Sequence, residues 1–359
     1  MKRHAQLWDR LIDFENIYLA FEKTEKGKGY KHDYLRFLLN LESNLLNLQE
    51  ALATQTYVPG GYRTFDIYEP KKRMISAASF GDRVVHHCLV NIIGPIFENS
   101  FIQHSYANQV GKGTHKAIRE VQKAMQQCDY ALHCDVRKYF PSIDHEILKD
   151  QIRKKIKDSK VLWLIDLIID GSNEQEWVLD YFPGDDLLTP LERRRGLPIG
   201  NLTSQFFANI YLNGLDHYMK EVLGCTYYMR YVDDMVVLDS DKGWLWTVRD
   251  HMRDYIEQLR LKLHPCKQNI RPVKDGLRFL GQVIYPDRRL LPKQNVRRFM
   301  RRMKRFAEYY TAGDMTMAEI NHSLQSWLGH AKQANTFSLR AELLEKVRGL
   351  HSDFKILKD

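Results

Sequence analysis

Two adjacent acids set between apolar, β-branched runs constrain this chain more than any other feature. Thr226-Tyr227-Tyr228-Met229-Arg230 and Met235-Val236-Val237-Leu238 both read as strands, with Tyr231-Val232-Asp233-Asp234 between them. The pattern predicts a hairpin carrying carboxylates at its tip. Such a tip suits hard divalent cations, because Mg²⁺ takes oxygen ligands and keeps positions open for water and phosphate. A third acid, Asp135, follows the strand-like run Tyr130-Ala131-Leu132-His133-Cys134, which continues through Val136 to Pro141. Three carboxylates on two strands can hold two metals, one activating an attacking hydroxyl and one stabilising a leaving phosphate in an in-line displacement. Taken singly, each Asp is more often a turn or cap former; the combination reverses that expectation. Gly184-Asp185-Asp186, by contrast, follows Pro183 in a polar stretch without strand patterning and reads as a turn.

The likeness to a known family extends over nearly the whole chain. Tyr231 to Asp234 resembles the Tyr-x-Asp-Asp box of reverse transcriptases, and Asp135 through Phe140 resembles their first catalytic motif. The resemblance implies an α+β right-hand polymerase with fingers, an antiparallel-sheet palm and a helical thumb. It implies RNA-directed DNA synthesis with two Mg²⁺ (or Mn²⁺) held by Asp135, Asp233 and Asp234, with the main-chain carbonyl of Val136 as a further ligand. Phe140, five residues after the first acid, matches the aromatic that blocks a ribose 2′-hydroxyl. Arg73, with Lys71 or Lys72, matches the basic clamp on the incoming deoxynucleoside triphosphate. Ser105-Tyr106-Ala107-Asn108-Gln109 before Gly111-Lys112-Gly113 is similar to the next fingers block. Leu263-His264-Pro265-Cys266-Lys267 resembles the motif that brings a lysine, here Lys267, to pyrophosphate, and Phe279-Leu280-Gly281 is like the primer-grip turn.

A finer likeness rests on Gly196 through Gln205. Most of the family carry glutamine before the second glycine and proline after the serine; here those positions are Ile199, ahead of Gly200, and Gln205. This resembles the reverse transcriptases of diversity-generating retroelements, which copy a template RNA with frequent errors at adenines. Phe182 to Asp186, Arg193-Arg194-Arg195 and Trp327-Leu328-Gly329-His330-Ala331 through Asn335-Thr336 are similar to the same group. Without that context, Ile199 reads as a plain apolar contact under a helix. The resemblance implies a template RNA and its cDNA as partners, with a small accessory variability protein. A retron-type or group II intron-like reverse transcriptase is the nearest alternative, and an antiphage, abortive-infection RNA-binding module on the same fold is a non-enzymatic one.

Charge agrees. With 54 Lys and Arg against 45 Asp and Glu, the formal charge of +9 favours a polyanionic partner, though membrane-surface binding would fit equally well. Between Arg288 and Arg305 there are nine Lys or Arg and no acid, while Val296, Phe299, Met300, Met303, Phe306 and Ala307 recur at helical spacing. This predicts an amphipathic helix whose basic face, including Arg297, Arg298, Arg301 and Arg302, meets a nucleic-acid backbone. Gly111-Lys112-Gly113-Thr114 lacks the earlier glycine of a phosphate loop and reads as a turn.

Five cysteines without a C-x-x-C pair argue against disulfides and a zinc site and fit a reducing cytoplasm. No signal peptide and no run of eighteen apolar residues is present, so no membrane span is expected. The expected organisation is N-terminal helices and fingers over 1–130, a palm over 131–285 with a polar, acid-bearing surface insertion at 172–195, and a helical thumb over 286–359. Phe206 to Lys220 is expected as one helix, and the last strand is expected to end near Tyr285.

Overall fold

A computed structural model describes residues 3–27, 31–68 and 72–358; Lys71 therefore lies outside the described residues. The chain divides into two compact units, the first comprising Met1–Gly111, Cys134–Met235 and Thr247–Gln268, the second Lys112–His133, Val236–Trp246 and Asn269–Asp359.

The apolar periodicity of the first sixty residues becomes the helices Trp8–Ile12, Phe14–Glu25, His32–Leu39 and Leu41–Ala53. Asp13 starts the second by accepting the Glu15 main-chain N–H at 3.1 Å. Helix Phe80–Glu98, capped by the Ser79 hydroxyl, buries Val84, Val85, Cys88, Leu89 and Ile93, and packs on Phe14–Glu25. Its Phe80 ring meets Phe37 at 5.0 Å.

Between these helices, β1 (Arg63–Ile67) and β2 (Arg73–Ala77) pair antiparallel with Phe65 opposite Ile75. Four further strands, β3 (Tyr130–Val136), β4 (Tyr227–Tyr231), β5 (Asp234–Asp239) and β6 (Leu263–Pro272), form one sheet in the order β4-β5-β3-β6. That order sets the end of β3 beside the start of β5, which is why acids distant in sequence meet. Helix Leu202–Tyr211 buries Phe206, Phe207, Ile210 and Tyr211. The helix expected to run on to Lys220 instead breaks at Leu212, resumes over Asn213–His217 and closes in a π-turn at Tyr218–Val222.

In the second unit, β7 (Leu277–Phe279), β8 (Gln282–Ile284) and β9 (Arg289–Leu290) form an antiparallel sheet. β9 extends the strands past the expected end at Tyr285. Helices Lys293–Ala312, Met317–Ala331 and Phe337–Arg348 follow. They share an apolar core in which Phe299 stacks on Trp327 at 3.9 Å, and a Thr316–Glu319 capping box starts the middle one. The stripe at Phe299, Met303 and Ala307 is buried, as the spacing predicts.

The segment 172–195 departs from expectation. Beyond the short helix Thr189–Glu192 it is irregular, and it is not polar throughout, because Trp177, Leu179, Tyr181, Leu187, Leu188 and Leu191 all stand exposed. Its acids dominate the sequence pattern, yet of the apolar residues between them only Val178 is buried and Phe182 half-buried. The Asp185-Asp186 pair does form a turn, with Asp185 accepting the Phe182 N–H at 2.8 Å and Asp186 the Thr189 N–H at 2.7 Å.

Candidate active site

Val232 and Asp233 are the two residues between β4 and β5, and Asp234 opens β5. Val232 has φ 58°, a left-handed conformation that β-branched residues rarely adopt and that costs on the order of 1–3 kcal/mol. The turn is held from beneath by Arg230, whose guanidinium donates to the Val232 carbonyl at 2.9 Å. The same guanidinium grips Asp216 in a two-pronged pair at 2.7 and 2.6 Å, with both side chains wholly buried. Tyr228 donates its hydroxyl to Asp216 at 2.8 Å. The open side of β4 is covered by the main chain of His104 and Tyr106, which bonds Arg230 at 3.0 and 2.9 Å. Sequence reasoning missed this pair; a lone arginine inside an apolar strand was the available signal, and its partner lies fourteen residues upstream.

Asp135 sits next to last on β3, with Cys134 and Val136 buried on either side. The Val136 N–H donates to the Asp233 carbonyl at 3.3 Å, joining the end of β3 to the hairpin turn. Burial first, then the neighbouring Asp135 carboxylate, push Asp233 up to about 7, and Asp234 adds to the effect. The three acids thus crowd one another electrostatically. Lys267, on β6, pairs its ammonium with the Asp135 carboxylate, so a cation of the protein's own already settles on these acids. An all-oxygen, mutually repelling donor set fits hard divalent cations, which relieve the repulsion. Among the described residues, no three His, Cys, Asp or Glu side chains are so placed that they could hold a metal ion as they stand.

Residues after β3 tie this centre to its surroundings. Tyr139 is buried and donates its hydroxyl to the Ala208 carbonyl at 2.6 Å, while Phe140 is half-buried beside it. The Phe140 carbonyl accepts the Leu197 N–H at 2.9 Å, which lays the Gly196–Gly200 segment against it. Gly200 has φ 116°, and a Cβ there would stand 3.0 Å from the Ile75 side chain, so the position needs glycine twice over. Ile199, half-buried, offers its carbonyl to the Ser76 N–H at 2.9 Å. Asn201, another residue sequence reasoning did not single out, completes the join: its amide donates to the Ser76 carbonyl at 2.8 Å and accepts the Ala78 N–H at 3.2 Å. Strand β2 is therefore bonded to the turn that carries Ile199.

The remaining expected residues are placed less uniformly. Arg73 opens β2 and is exposed; Lys72, also exposed, pairs with Asp66 at 3.0 Å. Gln205 is half-buried on helix Leu202–Tyr211. In the second unit, Arg297 and Arg301 are exposed, whereas Arg298 and Arg302 are half-buried, so the four do not form one evenly exposed face.

An acid-bearing hairpin bonded to the end of an acid-bearing strand, within a mixed helical and antiparallel fold, defines a right-hand nucleotidyl-transfer polymerase. The family pattern described as "Reverse transcriptase (RNA-dependent DNA polymerase)" matches residues 67–284, and the chain belongs to the reverse transcriptase family. It is 25% identical over 276 residues to Protein YkfC of Escherichia coli K12, covering 65% of this chain and 69% of that protein. It is 24% identical over 227 residues to the Group II intron-encoded protein LtrA of Lactococcus lactis subsp. cremoris, covering 61% of this chain and 36% of the relative. Similarity to the Uncharacterized 91 kDa protein in cob intron of Schizosaccharomyces pombe, 26% over 219 residues, covers 60% of this chain and 26% of that protein. The aligned region thus spans about a third or less of the two intron proteins. Among the described residues, no helix is long and apolar enough to cross a membrane.

Proposed function

We propose that this chain synthesises DNA on an RNA template by two-cation transfer of a deoxynucleotide onto a primer 3′-hydroxyl, at a centre formed by Asp135, Asp233 and Asp234. The observation that carries this reading is the bond between the end of β3 and the β4–β5 turn, which brings Asp135 beside Asp233, a carboxyl that burial first and Asp135 second push up to about 7. When bound, two Mg²⁺ ions supply Lewis-acid activation of the hydroxyl and neutralise the leaving pyrophosphate. Asp135 and Asp233 hold them, with Asp234 and the Val136 carbonyl as further ligands. Arg73 and a neighbouring lysine orient the triphosphate. Phe140 packs beneath the sugar and excludes a 2′-hydroxyl. Lys267 is the proton donor to pyrophosphate. Asp135→Ala should lower primer extension about a thousandfold or more while RNA binding persists; extension at a near-normal rate in that variant would overturn the assignment.

Within the family we assign the chain to the diversity-generating group, with template RNA, cDNA and an accessory variability protein as partners. Ile199 and Gln205 support that reading. Isoleucine supplies bulk but neither donor nor acceptor, so a polar check on the nascent pair is missing where most relatives carry glutamine. One hydrogen bond contributes about 0.5–1.5 kcal/mol net, up to roughly tenfold in discrimination. Ile199→Gln should lower misincorporation opposite template adenine more than it lowers synthesis. Equal adenine error rates in sequenced cDNA from both forms would remove Ile199 from the mechanism. The name of one relative, the Group II intron-encoded protein LtrA, favours a group II intron-like enzyme instead; uniformly low adenine error in the parent would select it.

A further inference from the structure

Lys267 and Asp135 stand 132 residues apart in the chain, yet the lysine ammonium bonds directly to Oδ2 of the carboxylate. Their strands, β6 and β3, are neighbours in the sheet. The Asp135 side chain is 16% exposed and that of Lys267 38%, so the pair borders solvent and is not locked in the core. Among the described residues Lys267 has no second acidic partner. Its charge also reaches Asp233, where it opposes the rise that burial and Asp135 impose. Lys138, though close to Asp135 in sequence, is committed elsewhere: it pairs with Glu176 at 2.9 Å and donates to the Trp177 carbonyl at 3.1 Å.

An ammonium and a divalent cation compete for such a carboxylate. A charge-assisted N–H···O bond spans about 2.7–2.9 Å, whereas Mg²⁺ binds oxygen at about 2.0–2.1 Å with twice the charge. At equal screening the divalent attraction is therefore roughly two to three times larger. An ammonium left on the same carboxylate would also meet the ion as a like charge.

We propose that Lys267 is a resident counter-ion of Asp135, which must leave the carboxylate before Asp135 can ligate a divalent cation. The proposal rests on the two-cation reading above. It gives Lys267 two positions, one on Asp135 and one toward the leaving pyrophosphate, and makes the second available only when the first is given up. The lysine is thus a positioning residue for Asp135 as well as a proton donor. Its pairing also lowers the affinity of the acids for an ion alone, so firm binding needs the further oxygens of an incoming triphosphate.

The test uses the full-length protein with Mn²⁺ alone, without primer or nucleotide, and counts bound ion by loss of the free-ion paramagnetic resonance signal. Binding that Asp135→Asn removes is assigned to the acids. At that site Lys267→Gln should bind Mn²⁺ at least about fivefold more tightly than the parent. Lys267→Arg keeps a cation on Asp135 and should bind no more tightly than the parent. Lys138→Gln removes an equal charge that is not paired with Asp135, and should shift the affinity by less than about twofold. In the unmutated protein, acetylation of Lys267 relative to Lys138, read by mass spectrometry, should rise when Mg²⁺ is added; this measurement depends on no variant. If Asp135→Asn binds Mn²⁺ as the parent does, the acids are not the metal centre, and the two-cation reading falls together with this one. If Asp135→Asn loses the ion but Lys267→Gln binds no more tightly than the parent, the two-cation reading stands and the counter-ion role is overturned. That role is also overturned if Lys138→Gln tightens binding as much as Lys267→Gln does, or if Mg²⁺ leaves Lys267 acetylation unchanged.

Discussion

Arg230 and Asp216 form a two-pronged ion pair with no solvent exposure, and the other end of the same guanidinium holds the Val232 carbonyl at the start of the acid-bearing turn. Position of the acids is thus set from inside the protein. The pair restrains a backbone conformation that valine would otherwise avoid.

Asp216→Ala should be strongly destabilising, because it leaves a buried guanidinium uncompensated, at a cost of about 3–5 kcal/mol. Arg230→Lys keeps the charge but loses the planar fork and the reach to Val232. It should cost less stability and yet lower kcat for primer extension. Urea midpoints together with steady-state kinetics check both; an Asp216→Ala midpoint within error of the parent would show that the pair does not brace the turn.

Asp233 makes stability depend on pH. Its carboxyl is raised from the ordinary 3.8 to about 7 in the folded protein, so the folded state keeps a proton that the unfolded chain releases. This contribution is complete below about 4 and is lost as pH rises through about 7. Without divalent cation, urea midpoints should fall between about pH 4 and pH 7, and Asp233→Asn should flatten the fall. Added Mg²⁺ binds the ionised form, so it should also flatten the fall and should bind more tightly as pH increases. A pH profile that Asp233→Asn leaves unchanged would reassign the titrating group.

Phe140 lies in the one-turn helix Tyr139–Ser142 shortly after β3, half-buried, with its carbonyl bonded to Leu197. Phe140→Ala should admit ribonucleotides, and the ratio of kcat/KM for dNTP over rNTP should fall by about tenfold or more. An unchanged ratio would place the sugar gate elsewhere.

On helix Lys293–Ala312, exposure separates the arginines. Replacing exposed Arg297 and Arg301 with alanine should flatten the salt dependence of RNA binding by roughly 0.7–0.9 for each phosphate no longer neutralised. Replacing half-buried Arg298 and Arg302 should change the slope less and thermal stability more. Equal slopes in all forms would mean that the helix does not touch the phosphate backbone.

Local patterning determined much of this protein. The acid-tipped hairpin, the Asp135 strand and the amphipathic helix after Pro292 follow from strand alternation, turn chemistry and helical spacing, which act within about ten residues and can be read along the chain. Gly200 was legible as part of a motif, but the close approach of Ile75 that demands glycine there was not. Tertiary structure alone decided which distant charges meet. Lys267 reaches Asp135 across 132 residues, and Arg230 finds Asp216 rather than one of the nearer acids. It also left Leu179 and Tyr181 exposed while the alternating Asp180 and Phe182 are drawn to Arg137 and Lys262. Electrostatic pairing and burial depend on which elements the topology brings side by side, and no short-range pattern carries that information.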